Sequence, residues 1–540
     1  MPNQSGAPAP ARIRMSRLVR LSPLLAVAAG VVIAVGRGAG QELTSPRVVL
    51  QMVAPDAIDR GLAPDQPPDP NTPVTWGRTV TASRGPATRV GASGAAYVPG
   101  KLIVKFRPTS SASSRLSTVT AVSRSAALQD RPPSANFDVL TIDPADDAEA
   151  MAQAFAERPD VEYAQAAYRI HPYLVPNDPL YLQYQWNFPA IDMERAWDIQ
   201  PGATRSVIVA VLDSGLAYQN AILRFNNVPG FSVGGVAYPP LGTIEVPFAA
   251  ANELGPASRF VAPRDFIWND TLPVDTDGHG THVAGTIGQL TNDGIGTAGI
   301  AFNVRLMPVK VIDSLWDDIF GAPNLASDDI VARGIRYAAD NGAKVLNMSI
   351  GRTGPPAPAV EDAIKYAVSK GCFVAIAGGN QFESGNPTEV LAEIASRVQG
   401  AVSVGATDRA HNRAFYSSSA NWVELTAPGG SSRGFGGAGV VYQQTYDPSL
   451  ALTFLPPPAQ YGSPRFDAFV YFGLQGTSMA TPHVAGVAAL LAQQGITDPA
   501  AIEAALERFA TDRGPAGRDN DFGYGEINAR NTLRGLGLAR

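Results

Sequence analysis

The chain is 540 residues long, 45% apolar and 17% charged, a globular composition with room for roughly two to four domains. Its 42 basic against 48 acidic residues give a net charge of −6, which argues against a phosphate-backbone partner for the protein as a whole. A single cysteine, Cys372, excludes an intrachain disulfide, so stability must come from a core or from a metal.

At the N-terminus Arg12, Arg14, Arg17 and Arg20 precede an apolar run from Leu21 to Val35 and the small residues GRGAG. This pattern predicts an export signal over 1–40 and a secreted or extracytoplasmic protein. The run is shorter than the ~20 residues that span a bilayer, so removal is expected rather than retention as an anchor. From 41 to 96, prolines at 55, 64, 67, 68, 70, 73 and 86 and the lack of periodicity predict a disordered linker. Structure is expected from Tyr97. KLIVKFR (101–107) alternates Leu102, Val104 and Phe106 with charged residues, as a half-buried strand does. Polar helical sequence at 111–127, strands near 136–142 and 161–168, and a helix at 145–157 with Ala148, Met151, Ala152 and Phe155 on one face complete a small α+β domain over 97–172.

From 173 to 540 buried strands alternate with amphipathic helices. SVIVAVL (206–212), KVLNMSI (344–350), CFVAIAG (372–378) and AVSVGAT (401–407) are apolar on both faces, as central parallel strands are. Helices are expected at 328–340, capped by Ser327, and at 358–370, stopping at Gly371. The alternation predicts an α/β domain whose ligands bind beyond the carboxyl ends of its strands.

Those ends carry Asp213-Ser214-Gly215, Ser349-Ile350-Gly351 and Gly378-Gly379-Asn380, each by itself an ordinary turn sequence. HGTH (279–282) and GTSMA (476–480) change their meaning. Acyl transfer by a serine needs a histidine to take its proton and a carboxylate to hold that histidine in one tautomer. Ser478, His279 and Asp213 supply the three types, and the Asn380 amide with the Ser478 N–H can hold an oxyanion. The His279/His282 pair could instead bind a metal, but no HExxH glutamate accompanies it.

In order, VLDSG, DGHGTHVAGT, LNMSIG, AIAGGN and GTSMATPHVAGVAALL closely resemble the subtilisin-like serine proteases. The resemblance implies a three-layer subtilisin-like domain with a parallel central sheet over 173–540. It implies Asp213 as orienter, His279 as general base and acid, Ser478 as nucleophile and Asn380 as oxyanion donor. Ser349, Ile350 and Gly351 would pair with the substrate backbone, and Ala377, Gly378 and Gly379 would line the pocket for the residue before the cut. YVPGKLIVKF and VEYAQAAYRI resemble the inhibitory propeptide of the same family, implying a ferredoxin-like propeptide over 97–172 and self-cleavage between 166 and 177. A permanently attached small domain is the alternative. The expected partners are polypeptide substrates and the chain's own propeptide, without nucleic acid, and the enzyme is expected to be a monomer. Rival readings are a peptide ligase or narrow processing protease on the same fold, or a silent binding protein.

The loop LTNDGIGTAG (290–299) with NDPLY (177–181) resembles a calcium site found in one branch of that family. It points to Asp178, Asn292 and the carbonyls of Ile295 and Thr297, with calcium as a structural cofactor. One expected carboxylate is missing, because AYQNAILRF (217–225) replaces the usual segment, and a weaker second site is expected at most around Asp265 and Asp270. His282 and His483 are read as structural, with ring nitrogens bonded to backbone; Cys372 as a core thiol; His171 and His411 as surface or boundary residues. The expanded stretches 214–276 and 430–472 are read as specificity loops, the second as a rim or lid, and Arg352 as a positive charge near the groove. HVAG, which occurs at both 282–285 and 483–486, is read as two helices kept slim for mutual contact.

Overall fold

The computed structural model describes residues 89–90, 96–129, 131, 134–168 and 174–537. The expected export signal, nearly all of the expected linker, and His171 lie outside them. The chain divides into two units near residue 170.

In the first unit, strand β1 (Ala96–Phe106) pairs antiparallel with β2 (Asp138–Thr141) and β3 (Val161–Tyr168). The alternation of β1 turns Leu102, Val104 and Phe106 into a core shared with Val119 of helix α1 (Ala112–Val122) and Phe155 of α2 (Ala148–Ala156). Helix α1 is shorter than the polar stretch that suggested it: Ser123 turns extended, and Ala127–Leu128 add a short strand instead. Helix α2 starts three residues later than expected, at the first residue of its apolar face, where Asp147 accepts hydrogen bonds from the N–H groups of Glu149 and Ala150.

In the second unit a seven-stranded parallel sheet runs through β4 (Ile208–Asp213), β5 (Arg305–Lys310), β6 (Val345–Met348), β7 (Phe373–Ala377), β8 (Ala401–Thr407) and β9 (Leu425–Pro428). Its spatial order is the short strand Arg264–Asp265, then β5, β4, β6, β7, β8 and β9. The doubly apolar runs explain why both faces are covered. Val209, Val211, Phe373 and Ala375 point into one core, while Ala210, Leu212, Val374 and Ile376 point into the other. Helices α4 (Asp328–Asp340) and α5 (Pro358–Ser369) pack with the second core; α3 (His279–Gly288) and α7 (Thr477–Gln493) pack with the first. A short helix the sequence did not suggest, α6 (Val390–Ala395), lies between β7 and β8. Chain order reverses across β4, with β5 on one side and β6 on the other, so the crevice expected of such sheets opens at their carboxyl ends.

The two expansions are antiparallel hairpins. Ala221–Val228 pairs with Gly242–Phe248 in one, and β10 (Val441–Tyr446) pairs with β11 (Phe469–Leu474) in the other. Among the described residues, no helix is long and apolar enough to cross a membrane.

Candidate active site

Asp213 is the last residue of β4 and is 1% exposed. Its Oδ1 accepts from the N–H of Ser214 at 2.8 Å and lies 2.7 Å from His279 Nδ1. His279 opens α3, and a β-carbon at Gly280 would overlap the Gly215 carbonyl, so the glycine is what lets the helix approach the strand end. Burial by itself lowers the His279 pKa, but the charge and hydrogen bond of Asp213 outweigh it and raise it to about 9. Nε2 of His279 has no hydrogen-bond partner.

The turn holding this pair is organised by a buried carboxylate not picked out from the sequence. Asp275 accepts from Ser214 Oγ and from the N–H groups of Asp277 and Gly278 on one oxygen, and from the N–H and hydroxyl of Thr281 on the other. Beside it, Lys310 and Asp317 form a fully buried ion pair at 2.9 Å, and Lys310 also donates to Thr276 Oγ1 and to the Val274 carbonyl. The carboxylate of Asp317 is spent further on a capping box with Ser314.

Ser478 stands in the first turn of α7, where backbone N–H groups lack intrahelical acceptors. Its Oγ donates to the Ser349 carbonyl at 3.1 Å, and its own carbonyl accepts from Ser349 Oγ at 2.8 Å. The Asn380 amide is fixed by its oxygen, which accepts from the N–H and the hydroxyl of Thr477, both at 2.9 Å. The point where a Gly476 β-carbon would sit is 3.5 Å from Asn380 Nδ2 and 3.6 Å from the Ser478 nitrogen, so the two donors border one spot.

These groups share a cleft of about 680 Å³ lined by His279, Ser478, Asn380, Ser349, Ile350, Gly351, Ala377 and Gly379. Gly378 is the exception among the residues expected there. It is turned into the sheet, its N–H donating to Val404 and its carbonyl accepting from Trp422 Nε1. The second hairpin forms a rim, contributing Phe472, Gly473 and Leu474 to the lining. His282 ties that rim to α3: its Nε2 lies 3.0 Å from the Phe472 carbonyl and 3.2 Å from that of Val441. Burial lowers its pKa to about 3, so the ring is neutral at physiological pH.

Several expectations need correction. His483 bonds backbone with only one nitrogen, Nδ1 to the Met479 carbonyl; Nε2 meets Asn187 Nδ2 at 2.8 Å. His411 is more than a boundary residue, since its Nδ1 lies 2.6 Å from the buried Glu526, which Arg513 also contacts. Ser327 caps α4 by position, but its hydroxyl is used on Leu325 and Asp329 rather than on the helix N–H groups. Arg352 brings no free charge to the groove, because Asp328 holds its guanidinium at 2.6 and 2.7 Å. Cys372 is buried with its thiol on the Ala343 carbonyl, and burial pushes its pKa up to about 11, which suits a core thiol.

Asp178 is 3% exposed, with one carboxylate oxygen on the Asn292 N–H at 2.8 Å and the other unpartnered. Burial raises its pKa to about 6. The Asn292 amide oxygen accepts from the Asn177 N–H, and the carbonyl between Ile295 and Thr297, that of Gly296, accepts from Leu180. Among the described residues the Ile295 and Thr297 carbonyls accept no hydrogen bond. An orphaned buried carboxylate oxygen, on a segment hydrogen-bonded to a loop whose carbonyls at 295 and 297 are unengaged, fits a hard cation. Asp265 and Asp270 build a turn in which their backbones pair in both directions and Asp265 Oδ1 accepts from Ile267 and Trp268, while Asp265 Oδ2 is buried without a partner.

Comparison with known proteins matches the subtilase family model to residues 204–525 and the fervidolysin N-terminal prodomain to residues 83–166. A thermophilic serine proteinase of Bacillus sp. strain AK1 is 30% identical over 438 residues, 81% of this chain and 88% of its own. Thermitase of Thermoactinomyces vulgaris is 31% identical over 354 residues, 66% of this chain and 97% of its own. An extracellular protease of Xanthomonas campestris is 30% identical over 400 residues, 71% of this chain and 61% of its own.

Proposed function

Since the chain belongs to the subtilase family and is a serine endopeptidase with a prodomain, we propose that it cuts peptide bonds with Asp213, His279 and Ser478 as its triad. The observation that carries this reading is the 2.7 Å contact of His279 Nδ1 with Asp213, which leaves Nε2 unpartnered in the cleft that Ser478 lines. A rotation of Ser478 about χ1 releases Oγ from the Ser349 carbonyl. Oγ then attacks the substrate carbonyl as Nε2 takes its proton, and Asp213 stabilises the imidazolium. The oxyanion is met by Asn380 Nδ2 and the Ser478 N–H. His279 returns the proton to the leaving amine, and water, activated by the same Nε2, releases the acid from the acyl-enzyme.

Ser349, Ile350 and Gly351 hold the substrate backbone as an added strand, and Ala377 and Gly379 border the side-chain pocket. The first unit is an inhibitory propeptide removed by self-cleavage between 166 and 177, and the enzyme is exported and monomeric; residues 169–173 of that cut region lie outside the described ones. The extracellular relative of Xanthomonas and the arginine-flanked apolar run at 21–35 support export. Asp178, Asn292 and the carbonyls of Ile295 and Thr297 hold calcium, which would tie the 290–299 loop to the segment at 177–181 and has no part in the chemistry.

The test is Ser478→Ala with a fluorophosphonate probe on the unaltered enzyme. Labelling at Ser478 and loss of hydrolysis in the variant are expected, and near-normal hydrolysis by the variant refutes the assignment.

A further inference from the structure

One carboxylate in the cleft is used by none of these steps. Glu389 lines the floor of the cleft, is 2% exposed, and has no hydrogen-bond partner for Oε1. It stands at the N-cap position of α6 and yet caps nothing with its side chain. Its neighbours place it. A β-carbon at Gly351 would overlap Glu389 Oε1, and one at Gly379 would lie 3.3 Å from Glu389 Cβ. The carboxylate therefore sits directly behind the two backbone segments, 349–351 and 377–379, that flank the residue before the cut.

Among the described residues no cation pairs with it. The nearest basic side chain, Arg352, is committed to Asp328 and to the Pro355 carbonyl at 2.7 Å. Burial pushes the Glu389 pKa up to about 7, although the N–H and charge of Arg352 pull it down. A buried carboxylate is stable only when paired or protonated, and a cation entering the cleft would supply the pairing that Glu389 lacks. Ser418 Oγ, also buried and unpartnered, abuts Gly379 and offers a neutral acceptor nearby.

We propose that Glu389 is the specificity-determining residue of the cleft, its carboxylate taking the cationic side chain, arginine or lysine, of the residue whose carbonyl Ser478 attacks. A side chain at Gly351 would fill the space at the carboxylate itself, whereas Gly379 is glycine for its backbone, at φ +108° with Ser418 Oγ and the Glu389 stem against it. The inference rests on the reading of this cleft as the site of peptide hydrolysis.

The experiment uses the full chain, matured, on peptides that differ only in the residue before the cut: Arg, Lys, Leu and Phe. The unaltered enzyme should favour Arg or Lys over Leu in kcat/KM. In Glu389→Gln, which keeps the size and removes the charge, that ratio should fall by about a hundredfold, the scale expected when one partner of a desolvated charge pair is lost. Benzamidine, a small aromatic cation, should compete with substrate on the unaltered enzyme, which keeps the proposal testable should the variant fail to mature. A preference for Leu or Phe, with Ser478 still labelled by a fluorophosphonate, overturns the inference and leaves the protease reading standing. No labelling and no turnover on any peptide overturns both.

Discussion

Asp275→Asn is the sharpest test of how the site is held, because all five donors to that carboxylate are known. Oδ1 takes three, Ser214 Oγ at 2.9 Å and the N–H groups of Asp277 and Gly278 at 3.0 and 2.8 Å. Oδ2 takes two, the N–H and hydroxyl of Thr281 at 2.9 and 2.6 Å. Asparagine keeps the shape but turns one oxygen into a donor, and its best orientation leaves the remaining oxygen with the three donors. The Thr281 hydroxyl can rotate to accept from the new NH2 while still accepting from Ala217 N–H. The Thr281 backbone N–H cannot, and a stranded buried donor costs about 1–3 kcal/mol. Loss of charge assistance on the other bonds brings the total to about 2–4 kcal/mol. The same bonds tie Ser214, next to Asp213, to Gly278, next to His279, so their loosening moves base against orienter. A shift approaching 1 Å costs on the order of 10²-fold. We expect kcat to fall by about 10- to 100-fold with KM nearly unchanged, since the segments that hold substrate hang on other strands. Steady-state kinetics on a fluorogenic peptide, and thermal unfolding with the active site blocked against self-digestion, would measure both. Unchanged kcat and unchanged Tm would refute the assignment of Asp275 as the organiser of this turn.

Two further predictions follow from charges that the fold displaces. Chelation should remove the binding contribution to stability, about 2.7 kcal/mol when calcium stands at a hundred times its Kd, and so lower the Tm of the unaltered enzyme, and Asp178→Ala should abolish that sensitivity; a Tm indifferent to chelator rules the site out. Activity should appear only as His279 loses its proton, so kcat/KM should fall as pH drops through about 9, well above the 6.5 of a free imidazole, and Asp213→Asn should bring that limb down. Stability runs the other way: the charged His279–Asp213 pair contributes fully below about 6.5 and is lost as pH rises through about 9. An acid limb at or below 6.5 in the unaltered enzyme contradicts the pairing.

Much of the fold could be read from period alone. Short runs apolar on both faces and bounded by turn residues read as strands covered on both sides, and β4, β6, β7 and β8 lie within two residues of where those runs placed them. The triad candidates were visible because histidine and serine stood in short phrases of fixed order. What stayed hidden were residues whose role depends on partners far along the chain. Asp275 gave no signal beyond being one acid among several before His279, and Glu389 sat in a proline- and asparagine-containing turn that reads as surface. Lys310, charged at the end of β5, went unread for the same reason, since Asp317, the partner that permits it, is seven residues on. The hairpins of the two expansions were missed because half-exposed antiparallel strands alternate too weakly to stand out among glycine, proline and aromatic residues.

The recurrence of HVAG shows how one phrase can meet different local demands. Helices α3 and α7 do pack together, but not glycine against glycine. A β-carbon at Gly486 would strike Ile300, and one at Gly285 would crowd Gln289 and Gln443. His282 anchors the rim hairpin, whereas His483 is held between its own helix and Asn187. The proline just before the second copy has the larger consequence. Pro482 has no N–H to give to the carbonyl four residues earlier, that of Ser478, and a buried carbonyl left bare is costly. Ser349 Oγ fills the gap at 2.8 Å, while the Ser349 carbonyl receives Ser478 Oγ at 3.1 Å. In a helix with its ladder intact that carbonyl would already have a partner within the helix. The proline instead hands it to the end of β6, so the proposed nucleophile and the strand end proposed to hold substrate are fastened to each other by two hydrogen bonds.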